Sequence, residues 1–170
     1  VMALYYPAAA LGSKPDLPNG PVGLDGLAHL AIGNSDELEA IEFLRESAGK
    51  DSGILEAVGG SYSEFGRVSS ATGMPTVLGW PGHELQWRGS SEPFEGRQED
   101  VQLIYESTDF EIAKNLLGKY DVEYVYVGPR ERRTYGTDGI SKFEKFMVRV
   151  FSNDTVVIYR LPVSVSGAGS

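Results

Sequence analysis

The spacing of apolar residues predicts two amphipathic helices. Residues 35–50 carry apolar side chains close to a 3.6-residue period, and Ser35 or Asp36 stands where an N-cap is expected. Residues 108–121 repeat this pattern after a capping Thr or Asp, with an end near Gly118. The apolar positions that set the two periods are Leu38, Ile41, Phe43, Leu44, Phe110, Ile112, Ala113, Leu116 and Leu117.

Four other stretches are typical of β-strands. Residues 122–129 alternate and are rich in Val and Tyr, whereas 54–60 and 74–80 are short apolar runs next to glycine. Within residues 147–161, two β-rich runs flank a Ser-Asn-Asp turn, which predicts an antiparallel hairpin. Because helices and strands alternate, we predict an α/β fold: a mixed, mostly parallel sheet with helices on its faces and a C-terminal antiparallel hairpin.

The remaining segments carry weaker patterns. Residues 61–73 and 139–146 each fit a short helix, and 100–107 fit either a strand or a helix. Residues 84–89 read as irregular chain with at most a helical turn. The basic cluster at 129–133 is expected to be a solvated turn, with capture of a phosphate as the alternative.

The length of 170 residues fits one domain with a sizeable core. We expect an N-terminal arm over residues 1–23, a single α/β domain over 24–162 and a flexible Ser/Gly-rich tail over 163–170. The arm opens apolar and aromatic, so it is either the trailing end of a membrane helix plus a linker or a segment that packs on the domain. No run of about 18 apolar residues occurs.

Charge and composition narrow the classes of partner. A net charge of −9 repels phosphate backbones, so nucleic acid is not expected to bind. There is no cysteine and there are 2 histidines, so a zinc site is not expected, and no phosphate-binding or dinucleotide-binding glycine motif occurs. We therefore predict no metal and no cofactor.

Two polar and aromatic stretches each follow a predicted strand, at 58–67 and 79–88. Loops beyond the carboxyl ends of parallel strands lie at one edge of a sheet, so the two stretches are expected to meet there. Indole rings stack on the C–H faces of a sugar while charged and amide groups bind its hydroxyls. The candidate ligand-binding residues are Tyr62, Glu64, Arg67, His83, Glu84, Gln86, Trp87 and Arg88.

Two other interpretations of these residues stay open. In the first, Trp80 and Trp87 fill the core, His83 satisfies a backbone carbonyl and Glu84 pairs with an arginine. In the second, His83 and Glu84 act as base and acid of a free-standing enzyme, although no nucleophile elbow accompanies them.

Three motifs in order carry a resemblance to a known family. They are "ILEAVGGSYSEFGRVSSATGMPTVLGWPGHELQWRG", "YDVEYVYVGPRERRTYG" and "KFEKFMVRVFSNDTVVIYRL", within a resemblance that extends over nearly the whole chain. The chain resembles the C-terminal soluble part of the YYY membrane proteins, multi-spanning proteins of archaea and green non-sulfur bacteria. Their membrane part is similar to the GT-C glycosyltransferases, which transfer sugars from lipid-linked donors outside the cytoplasm.

This resemblance implies an extracytoplasmic domain that is not catalytic on its own, because GT-C enzymes usually keep their catalytic carboxylates in the membrane part. Its expected partners are the membrane-embedded part of the same polypeptide and a glycan or lipid-linked sugar. We expect the domain to assist the binding of a sugar acceptor or donor, with a docking module on the membrane part as the alternative. The residues carried over are Tyr62, Arg67, Ser69, Thr72, Gly73, Pro75, Gly79, Trp80, Gly82, His83, Glu84, Gln86, Trp87, Arg88 and Gly89.

Overall fold

A computed structural model describes residues 34–49, 51–61, 63–90 and 94–162. The predicted N-terminal arm and C-terminal tail lie outside these residues. The elements are α1 (Ser35–Ser47), β1 (Gly53–Leu55), α2 (Arg67–Thr72), α3 (Pro81–Arg88), α4 (Arg97–Glu106), α5 (Phe110–Lys119), β2 (Val122–Val127), α6 (Pro129–Tyr135), α7 (Ser141–Phe146), β3 (Val148–Ser152) and β4 (Val157–Arg160). Within the described residues, no helix is both long and apolar enough to cross a bilayer.

The four strands of the described chain form one mixed sheet in the order β1-β2-β4-β3. β1 pairs parallel with β2, whereas β2 with β4 and β4 with β3 pair antiparallel. The α/β class and the C-terminal hairpin are therefore confirmed, but the prediction of a mostly parallel sheet is wrong. In the hairpin turn, the side chain of Asn153 accepts hydrogen bonds from the backbone N–H groups of Thr155 and Val156.

The sheet differs from the prediction because residues 74–80 do not form a strand. Only Thr76 makes a parallel bridge to Ile54, and the Ile54 N–H donates to the carbonyl of Pro75 at 2.8 Å. Pro75 has no N–H to extend this ladder. Val77 and Leu78 are apolar because they pack in the core, and they add nothing to a ladder.

Helices cover both faces of the sheet. Val125 and Val127 face a core built with α4, α5 and α7, whereas Tyr124 and Tyr126 face a second core with α1 and α2. This division follows from the two-residue period of β2.

The predicted helices α1, α5 and α7 are confirmed. Asp109 caps α5 by accepting from the Glu111 N–H at 2.9 Å. The N-cap residue of α1 is Asn34, one residue before Ser35, the first of the two expected caps. The ambiguous residues 100–107 belong to helix α4, whose buried residues Val101, Ile104 and Tyr105 share one face.

Two segments expected to be irregular are helical. Residues 81–88 form α3 and the basic cluster lies on α6, which replaces the expected solvated turn. Both helices have proline in their first turn, where its missing N–H has no helical partner to lose. Gly89, with φ +71°, ends α3 in the left-handed conformation.

Candidate functional site

A buried carboxylate fixes the chain where it leaves β1. Glu56 is fully buried and accepts hydrogen bonds from the backbone N–H groups of Val68 (2.9 Å) and Ser69 (2.8 Å) in the first turn of α2. Burial raises the pKa of Glu56, although these hydrogen bonds oppose the effect. The carboxylate thus caps α2 from inside the protein, because the N-cap residue Gly66 has no side chain that would do so.

Arg67 lies behind this turn in a buried ionic network. Its side chain, 11% exposed, pairs with Glu37 of α1, lies 3.7 Å from the Glu131 carboxylate of α6 and stacks over the ring of Tyr126 at 5.5 Å. Burial alone would lower the pKa of Arg67, but the charges of Glu131 and Glu37 outweigh it and raise that pKa. Arg67 therefore joins three elements and is not among the residues that line the cleft described below.

Glu131 completes the network and also secures two backbone segments. One carboxylate oxygen accepts from the Ala57 N–H at 3.1 Å and the other from the Gly128 N–H at 2.9 Å. Sequence reasoning missed Glu56 and Glu131. The available signals were an acidic residue inside the apolar run 54–58 and a glutamate three residues after Gly128, where a capping box places one.

The N-terminus of α3 packs against the loop that precedes α2. The Trp80 indole N–H donates to the carbonyl of Phe65, and the Gly82 N–H donates to the Ser61 hydroxyl at 3.0 Å. The ring of His83 meets Trp80 edge to face, with 5.5 Å between centroids. The two stretches predicted to meet at the sheet edge therefore do meet, as a loop and a helix.

Between α2 and α3 lies an open cleft of about 190 Å³. Ser69 and Ser70 line it from α2, and His83 and Glu84 line it from α3. Both serine hydroxyls donate to the carbonyl of Gly66, at 3.1 and 2.6 Å, so each hydroxyl oxygen keeps its lone pairs as acceptors. The full lining is Gly66, Ser69, Ser70, Gly79, Trp80, His83 and Glu84.

Among the candidate residues whose side chains the structure describes, His83 and Glu84 line this cleft. Trp87 is 82% exposed one turn further along α3, and Gln86 is also exposed. Tyr62 and the side chain of Arg88 lie outside the described residues. Sequence reasoning did not assign a role to Ser69 or Ser70, because two serines in a helix give no indication of which face they occupy.

Glu64 lies apart from the cleft lining and pairs with the guanidinium of Arg130 on α6. The hydrogen bond from Arg130 lowers the pKa of Glu64. Arg130 also stacks over Phe65 at 5.1 Å, and Arg132 donates to the carbonyl of Thr155. Arg130 and Arg132 of the basic cluster therefore contact neighbouring loops of the protein.

A second cavity of about 160 Å³ adjoins the first and shares Gly79 and Glu84 with it. Arg97 at the start of α4 lines it, donates from Nη1 to the carbonyl of Val77 at 3.0 Å and stacks over Tyr120 at 5.6 Å. The full lining is Thr76, Val77, Leu78, Gly79, Glu84, Phe94 and Arg97.

The cleft does not show the geometry of an activated nucleophile. A catalytic serine donates its hydroxyl proton to a base, whereas Ser70 donates to the Gly66 carbonyl. The hydroxyl of Ser69 contacts the same carbonyl and the Glu56 carboxylate, which is already engaged by two backbone N–H groups of α2. Across the described parts of the chain, no three His, Asp or Glu side chains are grouped so as to hold a metal ion.

Comparison with known proteins gives one distant likeness. No protein-family model matches the chain, and no curated protein does. Among solved structures, the chain is similar to the C-terminal globular domain of oligosaccharyltransferase from Archaeoglobus fulgidus, at 12% identity and a TM-score of 0.46 over 74% of this chain and 95% of that one. A likeness at this score carries no argument about what this chain does, and the resemblance to the YYY proteins stays an expectation.

Proposed function

We propose that the chain is a non-catalytic sugar-binding domain of a membrane glycosyltransferase-like protein. In this proposal, the cleft between α2 and α3 holds the hydroxylated part of a sugar acceptor or of a lipid-linked sugar donor. The observation that carries the proposal is a wall of hydrogen-bond acceptors beside an exposed indole. The extracytoplasmic location and the association with a membrane-embedded part are supported by the sequence resemblance alone.

The acceptors favour a ligand that donates hydrogen bonds. The hydroxyls of Ser69 and Ser70 direct their protons to acceptors inside the protein, the Gly66 carbonyl and, for Ser69, also the Glu56 carboxylate. The carboxylate of Glu84 has only acceptors when ionised. Sugar hydroxyls donate readily, whereas a phosphate is mainly an acceptor and would meet the charge of Glu84. The cleft chemistry therefore supports binding of the sugar and not of a phosphate linker.

The aromatic side chain lies where it would extend this cleft. Trp87 follows His83 by four residues and Glu84 by three, so all three share one face of α3. An indole that is 82% exposed is available to stack on the C–H face of a pyranose ring. The polar wall and the aromatic platform are the two parts that a sugar site requires.

A chemical-shift titration of the 170-residue chain tests this function. The panel contains monosaccharides, oligosaccharides and isoprenoid phosphates, and the variants are Trp87→Ala and, as a matched exposed aromatic on α7, Phe146→Ala. We expect a sugar to shift resonances of residues 66–70 and 79–84. Trp87→Ala is expected to weaken sugar binding by about 2- to 12-fold, because it removes an aromatic contact of ~0.5–1.5 kcal/mol. Phe146→Ala is expected to leave sugar binding unchanged.

Equal weakening by Phe146→Ala, or shifts spread over the whole surface, would contradict a site at this cleft. The proposal also states that the domain is not catalytic, and an activity assay tests this part.

Turnover of a lipid-linked sugar by the isolated chain, abolished by His83→Ala, would show that the domain is an enzyme.

One observation favours the alternative of a docking module. Leu85 is 46% exposed on the same helix as Trp87, so α3 presents apolar surface that a protein partner would cover. This function predicts no cleft shifts with any member of the panel. It also predicts that a photo-crosslinker at position 85 joins the domain to the membrane-embedded part of the longer protein.

A further inference from the structure

The two cavities adjoin each other, and Gly79 and Glu84 line both of them. Their volumes, about 190 and 160 Å³, are similar, and the shared wall consists of one residue without a side chain and one carboxylate. From this arrangement we infer that the site takes two consecutive sugar units, one in each cavity, with Glu84 between them. This inference rests on the proposed function and names its ligand class as a disaccharide or a longer glycan.

The second cavity adds a guanidinium as a source of hydrogen-bond donors. Within the described parts of the chain, Arg97 makes one hydrogen bond, from Nη1 to the carbonyl of Val77, which leaves Nε and Nη2 as further donors. The ring of Tyr120 beneath the guanidinium limits its freedom, so little side-chain entropy is lost when it binds. A sugar hydroxyl both donates and accepts, so it matches Glu84 and Arg97 together.

The charges also point to a neutral ligand. Arg97 and Glu84 line the same cavity with opposite charges, and they are the charged side chains among its described lining residues. A phosphate or carboxylate would gain from the guanidinium but would be opposed by the carboxylate. An uncharged glycan forms hydrogen bonds to both groups without that opposition.

Isothermal titration of matched pairs tests the two subsites: glucose with maltose, glucose with cellobiose, and mannose with mannobiose. We expect the wild-type chain to bind one disaccharide at least 10-fold more tightly than its monosaccharide. Arg97→Lys removes the planar fork of donors and is expected to weaken that disaccharide by about 10-fold, since a hydrogen bond to a charged group contributes ~1.5 kcal/mol or more. It is expected to leave the monosaccharide affinity unchanged.

Arg160→Lys is the matched control, because Arg160 on β4 stacks over Tyr124 at the same 5.6 Å and lines neither cavity. A second variant adds a methyl group at the wall that the two cavities share. The Cβ of Gly79→Ala would meet no atom within 4 Å, and neither would that of its control Gly60→Ala, which lies outside both cavities. Gly79→Ala is expected to weaken the disaccharide more than the monosaccharide, and Gly60→Ala to change neither affinity.

Equal affinity for each monosaccharide and its disaccharide would overturn the two-unit site while leaving a one-unit cleft. Equal weakening of both ligands by Arg97→Lys would overturn it as well. Binding of no sugar at all would overturn the proposed function and, with it, this inference.

Discussion

Three acidic side chains, Glu37, Glu56 and Glu131, are buried around the single guanidinium of Arg67. Glu56 and Glu131 accept hydrogen bonds from backbone N–H groups just after β1, in α2 and in the β2–α6 turn, and so satisfy donors that burial would otherwise leave unpaired. Glu37 accepts from side chains instead, among them the hydroxyl of Tyr126. Arg67 offsets part of their charge. Arg67, which the sequence suggested as a ligand-binding residue, therefore has a structural role in this network.

Removal of Arg67 is expected to be costly. Arg67→Met leaves Glu37 and Glu131 buried without their cation, which destabilises the folded state by about 3–5 kcal/mol. The measurement is the free energy of unfolding in urea. The control is Arg149→Met, since Arg149 forms an exposed pair with Glu144 at 3.3 Å and is expected to change stability by less than ~1 kcal/mol. Equal losses in the two variants would show that the buried network adds no stability.

The sequence did not reveal this network because its members are far apart along the chain. Arg67 lies 30 residues from Glu37 in the sequence, and Glu131 lies 74 residues from Ala57, whose N–H donates to the Glu131 carboxylate. Periodicity reports which positions are polar but not which polar groups meet. The meeting of the stretches 58–67 and 79–88 was predicted from a strand before each of them, but only the first follows a strand, and the second follows a segment with a single bridge to β1.

At the scale of elements, local signals decided what could be predicted. α5 has its cap, its apolar period and its end within 12 residues, and the hairpin has its turn between two β-rich runs. α3 was missed because Gly79, Pro81 and Gly82 are typical of loops, although Pro81 stands in the first turn where it is tolerated. Residues 74–80 were wrongly predicted as a strand because Val77 and Leu78 are buried in the core. A short apolar run of buried residues has the same sequence pattern whether or not it pairs in a sheet.

Pairing of the short strand β1 depends on a glycine. A Cβ at Gly53 would lie 2.4 Å from the backbone carbonyl oxygen of Asp121, so Gly53→Ala must displace β1 from β2. We expect a loss of about 1–3 kcal/mol, as for other overpacked positions, measured by urea unfolding. Gly60→Ala, whose Cβ meets nothing, is the control. Unchanged stability in Gly53→Ala would mean that this close approach is absent in solution.

At the scale of the whole molecule, stability is expected to respond to alkaline pH through Lys142. Its buried ammonium donates to the carbonyls of Gly139 (2.9 Å) and Tyr105 (3.3 Å), and burial lowers its pKa from 10.5 to about 8. Between these two values the unfolded chain binds more protons than the folded chain, so the contribution of Lys142 to stability rises with pH.

This linkage is measured by urea unfolding of the wild type and Lys142→Met between pH 7 and 9.5. The stability of the wild type relative to the variant should increase as pH rises through about 8. Taking the difference between the two proteins removes the effects of the other titrating groups, including the buried tyrosines Tyr105 and Tyr126, whose pKa values burial raises. A difference that is constant over this pH range would contradict the lowered pKa.

The cap that Glu56 places on α2 has a consequence for the thermodynamics of the proposed sugar binding. Because Ser69 and Ser70 belong to a helix whose first turn is bonded to the protein interior, their hydroxyls are oriented before any ligand arrives. The conformational entropy of that wall is lost during folding and not during association. The cleft is in this sense preorganised, so in the proposed function the ordering that accompanies binding falls mainly on the sugar.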